Sequence, residues 1–168
     1  MQPRRSLKSR ALQLLAQRDQ SRLELRRKLL RHVRADAAER DGDGGGEPAA
    51  AEPVEALLDW LEANRFLSSD RFVESRVHAR EARFGNLRIR SELAQHHLTL
   101  PPELEQHLAE TELARATAVR ERRFAALPRH AGERAAQSRF LAARGFSPEL
   151  IHRLMRQLRS STHGGAAG

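Results

Sequence analysis

The chain has no cysteine and no tyrosine, one tryptophan (Trp60) and six phenylalanines in 168 residues. Missing thiols exclude disulfides and thiolate metal sites, and agree with a reducing compartment. So few rings exclude an aromatic core and suit helices that each bury one narrow aliphatic stripe. No long apolar run is present. The basic opening MQPRRSLKSRALQLLAQRDQ is not followed by one, so neither signal peptide nor membrane span is expected, and a soluble, cytoplasmic protein is. No P-loop, HExxH pair, nucleophile elbow or Ser-His-Asp order occurs. The eight histidines are scattered. His96 and His97, being adjacent, point to different helix faces, and His78 is four residues from Glu74, the spacing of a surface pair. The expectation is a protein that is not an enzyme and uses no cofactor or metal.

Positive charge is what the chain has in excess. The net charge is +8, and 28 of the 30 basic residues are arginine. Arginine binds phosphate and carboxylate through a rigid fork, so the excess suits nucleic acid or an acidic protein surface. GC-rich coding of a solvated surface would give the same composition. Distribution says more than the total. Residues 1–34 carry eleven basic and two acidic side chains, whereas 35–67 carry two and nine. The remaining stretches are mildly basic.

Apolar spacing predicts helices throughout. Ser6 caps a first helix with the stripe Leu7, Ala11, Leu14 and Leu15. Ser21 and Glu24 form a capping box for a second, which buries Leu25, Leu29 and Val33. The glycine-rich stretch around Gly42 to Gly46 breaks regular structure. Asp41, Asp43, Gly46 and Glu52 mimic a calcium loop, but Gly45 stands where a ligand is needed and Pro48 follows, so no calcium is expected. Pro53 opens a helix with Val54, Leu57, Leu58 and Leu61. Ser68 or Ser69 caps the next, which buries Phe72, Val73, Val77 and Phe84. NLRIRSELAQHH buries Ile89 and Leu93. Pro101 and Pro102 open a helix with Leu104 and Leu108 that runs on, or nearly so, into ELARATAVRERRFAAL. Finally Gly145 ends one helix in a left-handed turn, and Ser147 and Pro148 open the last, with Leu150, Ile151, Leu154, Met155 and Leu158 inward. This is an all-α chain of about nine helices.

Helices opened by proline recur at Pro53, Pro102 and Pro148. The last two share the tripeptide PEL, with Leu108 and Leu154 following at the same distance; either Leu98 or Leu100 stands where Phe146 does. A recurrence of this length indicates tandem three-helix units. Their expected limits are 7–66, with a flexible insert at 36–52, then 67–112 and 113–159. Tails are expected at 1–6 and 160–168.

Three blocks carry a family resemblance. They are ALQLLAQRDQSRLELRRKL (Ala11 to Leu29), LLDWLEANRFLSSDRFVESRV (Leu57 to Val77) and FGNLRIRSEL (Phe84 to Leu93). Leu67, Asp70, Arg71 and Phe72, then Gly85, Ile89, Glu92 and Leu93, match the family's motif positions. On these residues the chain resembles the RecX regulators of the bacterial recombinase RecA. The resemblance covers most of the chain and fades between Thr111 and Arg134. The insert is longer than the tight turn usual there. The resemblance implies an elongated, curved array of three tandem three-helix repeats. It also implies a non-enzymatic, monomeric modulator that binds the RecA–DNA filament and restrains ATP hydrolysis, strand exchange and filament assembly in DNA repair. Partner contacts, to acidic RecA surface, to single- or double-stranded DNA phosphate or to both, are expected from Arg22, Arg26, Arg27, Arg71, Arg76, Arg80, Arg88 and Arg90. The competing reading is direct DNA binding by a helix-turn-helix, FLAARGFSPELI, whose last helix would expose His152, Arg153, Arg156 and Gln157. The matching helices carry Glu55, Asp59 and Glu62, or Glu103, Glu105 and Glu110, which would repel phosphate.

Overall fold

The computed structural model describes residues 6–41 and 47–164. Among them are eight α-helices and no strand. These are α1 (Leu7–Gln17), α2 (Arg22–Asp41), α3 (Glu47–Ala63), α4 (Ser69–Glu81), α5 (Asn86–Ala94), α6 (Pro102–Arg123), α7 (Ala131–Ala143) and α8 (Pro148–Gly164). The chain divides into two compact units, Met1–Ser75 and Arg76–Gly168. None of the described helices is long and apolar enough to cross a membrane.

The chain from Pro102 to Arg123 runs on as one helix, because no proline or glycine interrupts ELEQHLAETELARATAVRERR. Other expectations about helix limits change. The insert expected over 36–52 shrinks. α2 continues through Asp41 on ADAAER, and α3 starts at Glu47, so that Pro53 lies inside that helix and does not open it. The central segment 42–46 lies outside the described residues, as do 1–5 and 165–168 of the expected tails. α8 runs through Gly164, into the stretch expected to be a tail.

In the first unit Ala11, Leu25, Leu29, Val54, Leu58, Leu61 and Leu67 form a closed core, each at most 4% exposed. Their i, i+3 and i+4 spacing is what sets α2 and α3 face to face, and each leucine contributes about 1.5–3 kcal/mol by leaving water. Ser6 and Ser21 accept the Ser9 and Glu24 N–H groups at 3.1 Å, as N-caps do. Gln20 is buried among them with its amide satisfied: it donates to the Leu14 carbonyl at 2.7 Å and accepts from Lys28 Nζ at 2.8 Å. Outside this core Arg22 reaches from α2 to three carboxylates of α3. It lies 2.8 Å from Glu55, 2.8 Å from Asp59 and 2.6 Å from Glu62, while Arg26 also binds Glu55. Partial burial opposes the charge on Arg22, but the three carboxylates outweigh it and raise its pKa. Arg26 first, then Arg22, holds the Glu55 carboxyl below its ordinary range.

The second unit is centred on Ala116, Val119, Leu141, Phe146, Leu150, Ile151, Leu154 and Met155 of α6, α7 and α8. Ile89, Leu93 and Leu108 are also buried, on α5 and α6. Two arginines of α6 act as internal staples. Arg115 donates to the carbonyls of Glu81, Phe84 and Leu108 and to the Asn86 side chain. Burial lowers its pKa, an effect that Glu112 and Glu81 offset in part. Arg120, 2% exposed, donates to Gln137 and to the Ala126 carbonyl. The buried Glu112 carboxylate accepts the Asn86 N–H at 2.8 Å, supplying a partner for the first turn of α5.

Three helices end in the same hydrogen-bonded turn. Arg65, His97 and Gly145 are left-handed, with φ of 60°, 58° and 82°. The residue after each bonds back five positions: Phe66 to Leu61, Leu98 to Leu93 and Phe146 to Leu141. Leu98, not Leu100, is therefore the counterpart of Phe146. At Gly145 close packing requires glycine, which the turn alone does not. Its turn lies against the start of α5, where Gly85 N–H donates to Arg144 O at 2.9 Å and Leu87 N–H to Gly145 O at 3.1 Å. A Cβ on Gly85 would fall 2.3 Å from Gly145 O, and one on Gly145 would fall 2.4 Å from Arg88 Cβ.

Gly85→Ala and Gly145→Ala are each expected to destabilise the fold by roughly 2–4 kcal/mol, since backbone or a strained φ must move. Urea unfolding followed by circular dichroism reads this, and unchanged midpoints would show that the glycine contact is not tight. A smaller effect is expected from Glu55. Its folded pKa is depressed, so its stabilisation is complete above the unfolded value of about 4.3 and fades as pH falls through the folded one. The wild-type midpoint should therefore drop more steeply than that of Glu55→Gln below about pH 4.3. Parallel curves would mean that the Arg22 and Arg26 contacts contribute nothing to stability.

Candidate partner-binding site

Phe84 lies in the loop between α4 and α5, with its N–H bonded to Arg80 O at 3.0 Å and its carbonyl held by Arg115 at 2.9 Å. Four guanidinium groups surround its half-buried ring. Arg88 of α5 is 4.5 Å from the ring centroid, Arg80 and Arg83 are each 5.7 Å away, and Arg144 is 6.0 Å away. Like charges this close repel, and three features hold them together. The ring face attracts cations. Glu92 accepts from Arg80 Nε at 2.8 Å and from Arg88 Nε at 3.3 Å. Arg144 also stacks on Phe140 at 4.6 Å and donates to Arg83 O at 3.4 Å. Its Nε is buried with no hydrogen-bond partner among the described residues. Four cations share one bonded carboxylate, and one buried donor is unmet. Charge-assisted bonds to a carboxylate or phosphate are the chemistry that such a cluster of guanidinium groups can offer.

The eight arginines singled out from the sequence divide by this geometry. Arg80 and Arg88 are brought together at Phe84. Arg22 and Arg26 join α2 to α3 and face their own chain's carboxylates. Arg71 closes the turn before α4, donating to the carbonyls of Arg65 and Phe66 at 3.1 and 3.0 Å, with Asp19 3.5 Å from its Nε. Arg90 pairs with Glu105 at 2.7 Å. Arg76 is half-buried and has a contact of its own, while Arg27 is exposed on α2 without an ion pair among the described residues. The repulsion expected from Glu55, Asp59 and Glu62 is also reduced, since Arg22 and Arg26 bind all three.

Arg83 and Arg144 are the members that sequence reasoning missed. Arg83 follows Arg80 at helical spacing and was legible. Arg144 arrives from 61 residues further along, through the Gly145 turn, and no local pattern announces that.

Two further clefts are lined by cations. One, of about 440 Å³ between α1 and α2, includes Arg10, Lys28, Arg31 and His32. There Arg10 bonds Gln13, Lys28 bonds Gln20 and His32 lies 3.7 Å from Asp36. The other, of about 270 Å³ between α7 and α8, includes Arg134, His152, Arg156 and Arg159. Among the described residues no cluster of acidic, histidine or cysteine side chains could hold a metal ion.

Residues 110–155, from the middle of α6 into α8, match the family model of the third three-helix domain of RecX. Curated relatives match nearly the whole chain. Regulatory protein RecX of Ralstonia nicotianae is 44% identical over 152 residues, which is 89% of this chain and 86% of the relative. That of Herbaspirillum seropedicae is 46% identical over 154 residues, covering 90% and 88%. That of Herminiimonas arsenicoxydans is 45% identical over 153 residues, covering 90% and 91%. With this kinship running through both units of an all-helical chain, the chain belongs to the RecX family of regulatory proteins.

Proposed function

We propose that this chain is a cytoplasmic, non-enzymatic regulator that binds the filament of the bacterial recombinase RecA on DNA, as a monomer, and slows its ATP hydrolysis and strand exchange. The observation that carries the reading is kinship to regulatory proteins of the RecX family over about nine-tenths of the chain. The geometry is in keeping with it. The clefts along α1–α2 and α7–α8 are bordered by charged side chains, which suits recognition of a charged partner surface.

On this reading the ring of arginines at Phe84 meets an acidic surface of the recombinase. A guanidinium held over an aromatic ring and against Glu92 loses little rotamer freedom when it binds, which favours affinity. Arg80, Arg83, Arg88 and Arg144 are then the contact residues, and Arg27 an outlying one. Arg22, Arg26, Arg71 and Arg90 act by holding the fold that presents them.

Purified protein should slow the DNA-dependent ATP hydrolysis of its cognate RecA at equal or lower molar ratio. A rate that stays constant across a wide concentration range would sink the proposal. Arg83→Gln combined with Arg88→Gln should raise the concentration needed for half inhibition about tenfold or more, given roughly 1.5–3 kcal/mol for each charged hydrogen bond. Circular dichroism should show the helices intact. Undiminished inhibition by that folded variant would move the contact away from Phe84.

A further inference from the structure

We propose that the groove between α7 and α8 is a binding site for the phosphodiester backbone of a nucleic acid, used without regard to sequence. The proposal deepens the regulatory reading, on which it rests for its setting, by giving DNA a place of its own on the second unit.

The groove is lined by one arginine from α7 and by basic side chains at helical spacing on α8. α7 contributes Arg134 and, one turn on, Ser138; α8 contributes His152, Arg156 and Arg159, with Met155 in the floor. No carboxylate lines it. Arg159 has a contact of its own. Arg134 and Arg156 make no ion pair among the described residues, unlike Arg22, Arg26, Arg80, Arg88 and Arg90. The α1–α2 cleft differs in the same respect, because most of its cations already have hydrogen-bonding or acidic partners.

Arg156 also borders a second cleft, of about 410 Å³, together with Arg153, although Glu112 and Glu149 line that cleft too and Arg90 there is paired with Glu105. Arg153 thus adds a cation beside the groove, on the same helix. Residues three or four apart on a helix are about 5–6 Å apart, so Arg153, Arg156 and Arg159 form a line of charge and not a point. A line suits a polymer of phosphates better than a single anion.

Two features separate nucleic acid from an acidic protein and from a sequence reader. Protein interfaces are anchored by exposed apolar or aromatic side chains. The exposed large hydrophobics Phe66, Leu87 and Leu127 all lie outside this groove. Phosphate attraction needs only the cations. A groove-reading helix presents its N-terminal residues to base edges, and here those positions hold Pro148 and the exposed Glu149, with the arginines further along. α8 is thus placed to follow a backbone and not to read bases, which departs from the helix-turn-helix reading of FLAARGFSPELI.

The test uses the whole chain with no recombinase present. Fluorescence anisotropy is followed for labelled single- and double-stranded oligonucleotides of two unrelated sequences over a range of salt. Wild type should bind both sequences equally, with affinity falling linearly in log–log salt. Arg134→Gln with Arg156→Gln should weaken binding roughly tenfold or more and reduce the slope on single strands by about 1.4, at about 0.7 per lost contact. Arg65→Gln with Arg129→Gln removes the same charge from outside the groove and should leave the slope unchanged. Equal loss in both double variants would overturn the site in favour of diffuse attraction. So would absence of binding, a strong preference for one sequence, or polyglutamate that occupies the groove as well as the oligonucleotide does. A wild-type chain that restrains RecA yet fails here would sink this proposal alone, and one that binds DNA here yet leaves RecA untouched would sink only the regulatory reading.

Discussion

Two glycines set the architecture of the second unit. Gly85 starts α5 and Gly145 ends α7, and their backbones approach so closely that neither tolerates a Cβ. This approach lets Gly85 N–H and Leu87 N–H use carbonyls of the α7–α8 turn, completing the orphan donors of a helix N-terminus with backbone from another element. Glu112 supplies a further acceptor from α6. Because Arg88 follows the first glycine and Arg144 precedes the second, the same contact carries both guanidinium groups to Phe84. The cationic site is a by-product of how the backbone closes, so its geometry is as rigid as the turn that makes it.

Arginine does two unlike jobs in this protein, and composition cannot separate them. Arg115 and Arg120 are built inward, where planar donors satisfy carbonyls that loops would otherwise leave unpaired. Arg22 spans α2 and α3, and Arg71 closes a helix end. Only a subset faces outward without full compensation. A net charge of +8 therefore overstates the charge available to a partner in some places and understates it in others. The N-terminal stretch, the most basic by net charge, commits Arg22 and Arg26 to the acidic helix beside it.

The fold was legible where chemistry is local. Ser21 as a cap, Pro102 in a first turn, Gly145 in a left-handed turn and the stripe Leu150, Ile151, Leu154 and Met155 follow from neighbours within a few residues. Helix extends further toward the glycine-rich stretch than the glycines suggested, because ADAAER on one side and EPAAAEP on the other are alanine-rich and helix-forming. The site was harder to see because ion pairing is long-range. Arg22 and Glu55 are 33 residues apart, and nothing between them states that they meet. Arg71 adds a role that its sequence neighbours do not announce: its side chain binds the carbonyls of Arg65 and Phe66.

The same turn in three places explains why repetition of fold does not impose repetition of function. Arg65, His97 and Gly145 all adopt left-handed φ, and in each case the next residue bonds back to the helix it leaves. A non-glycine residue tolerates that conformation at a modest cost, so the turn itself does not require glycine at all three. At Gly145 another backbone also presses against it. The Arg65 turn places a half-exposed ring, Phe66, stacked on Trp60, whereas the Gly145 turn places a fully buried Phe146. The helices beyond the last two turns also differ: α6 opens with Glu103 and Glu105, and α8 opens with one glutamate and then turns to arginine. A shared hydrogen-bonding turn thus goes with outer faces that diverge: Arg80, Arg88 and Arg90 sit in ion pairs, whereas Arg134 and Arg156 make none among the described residues.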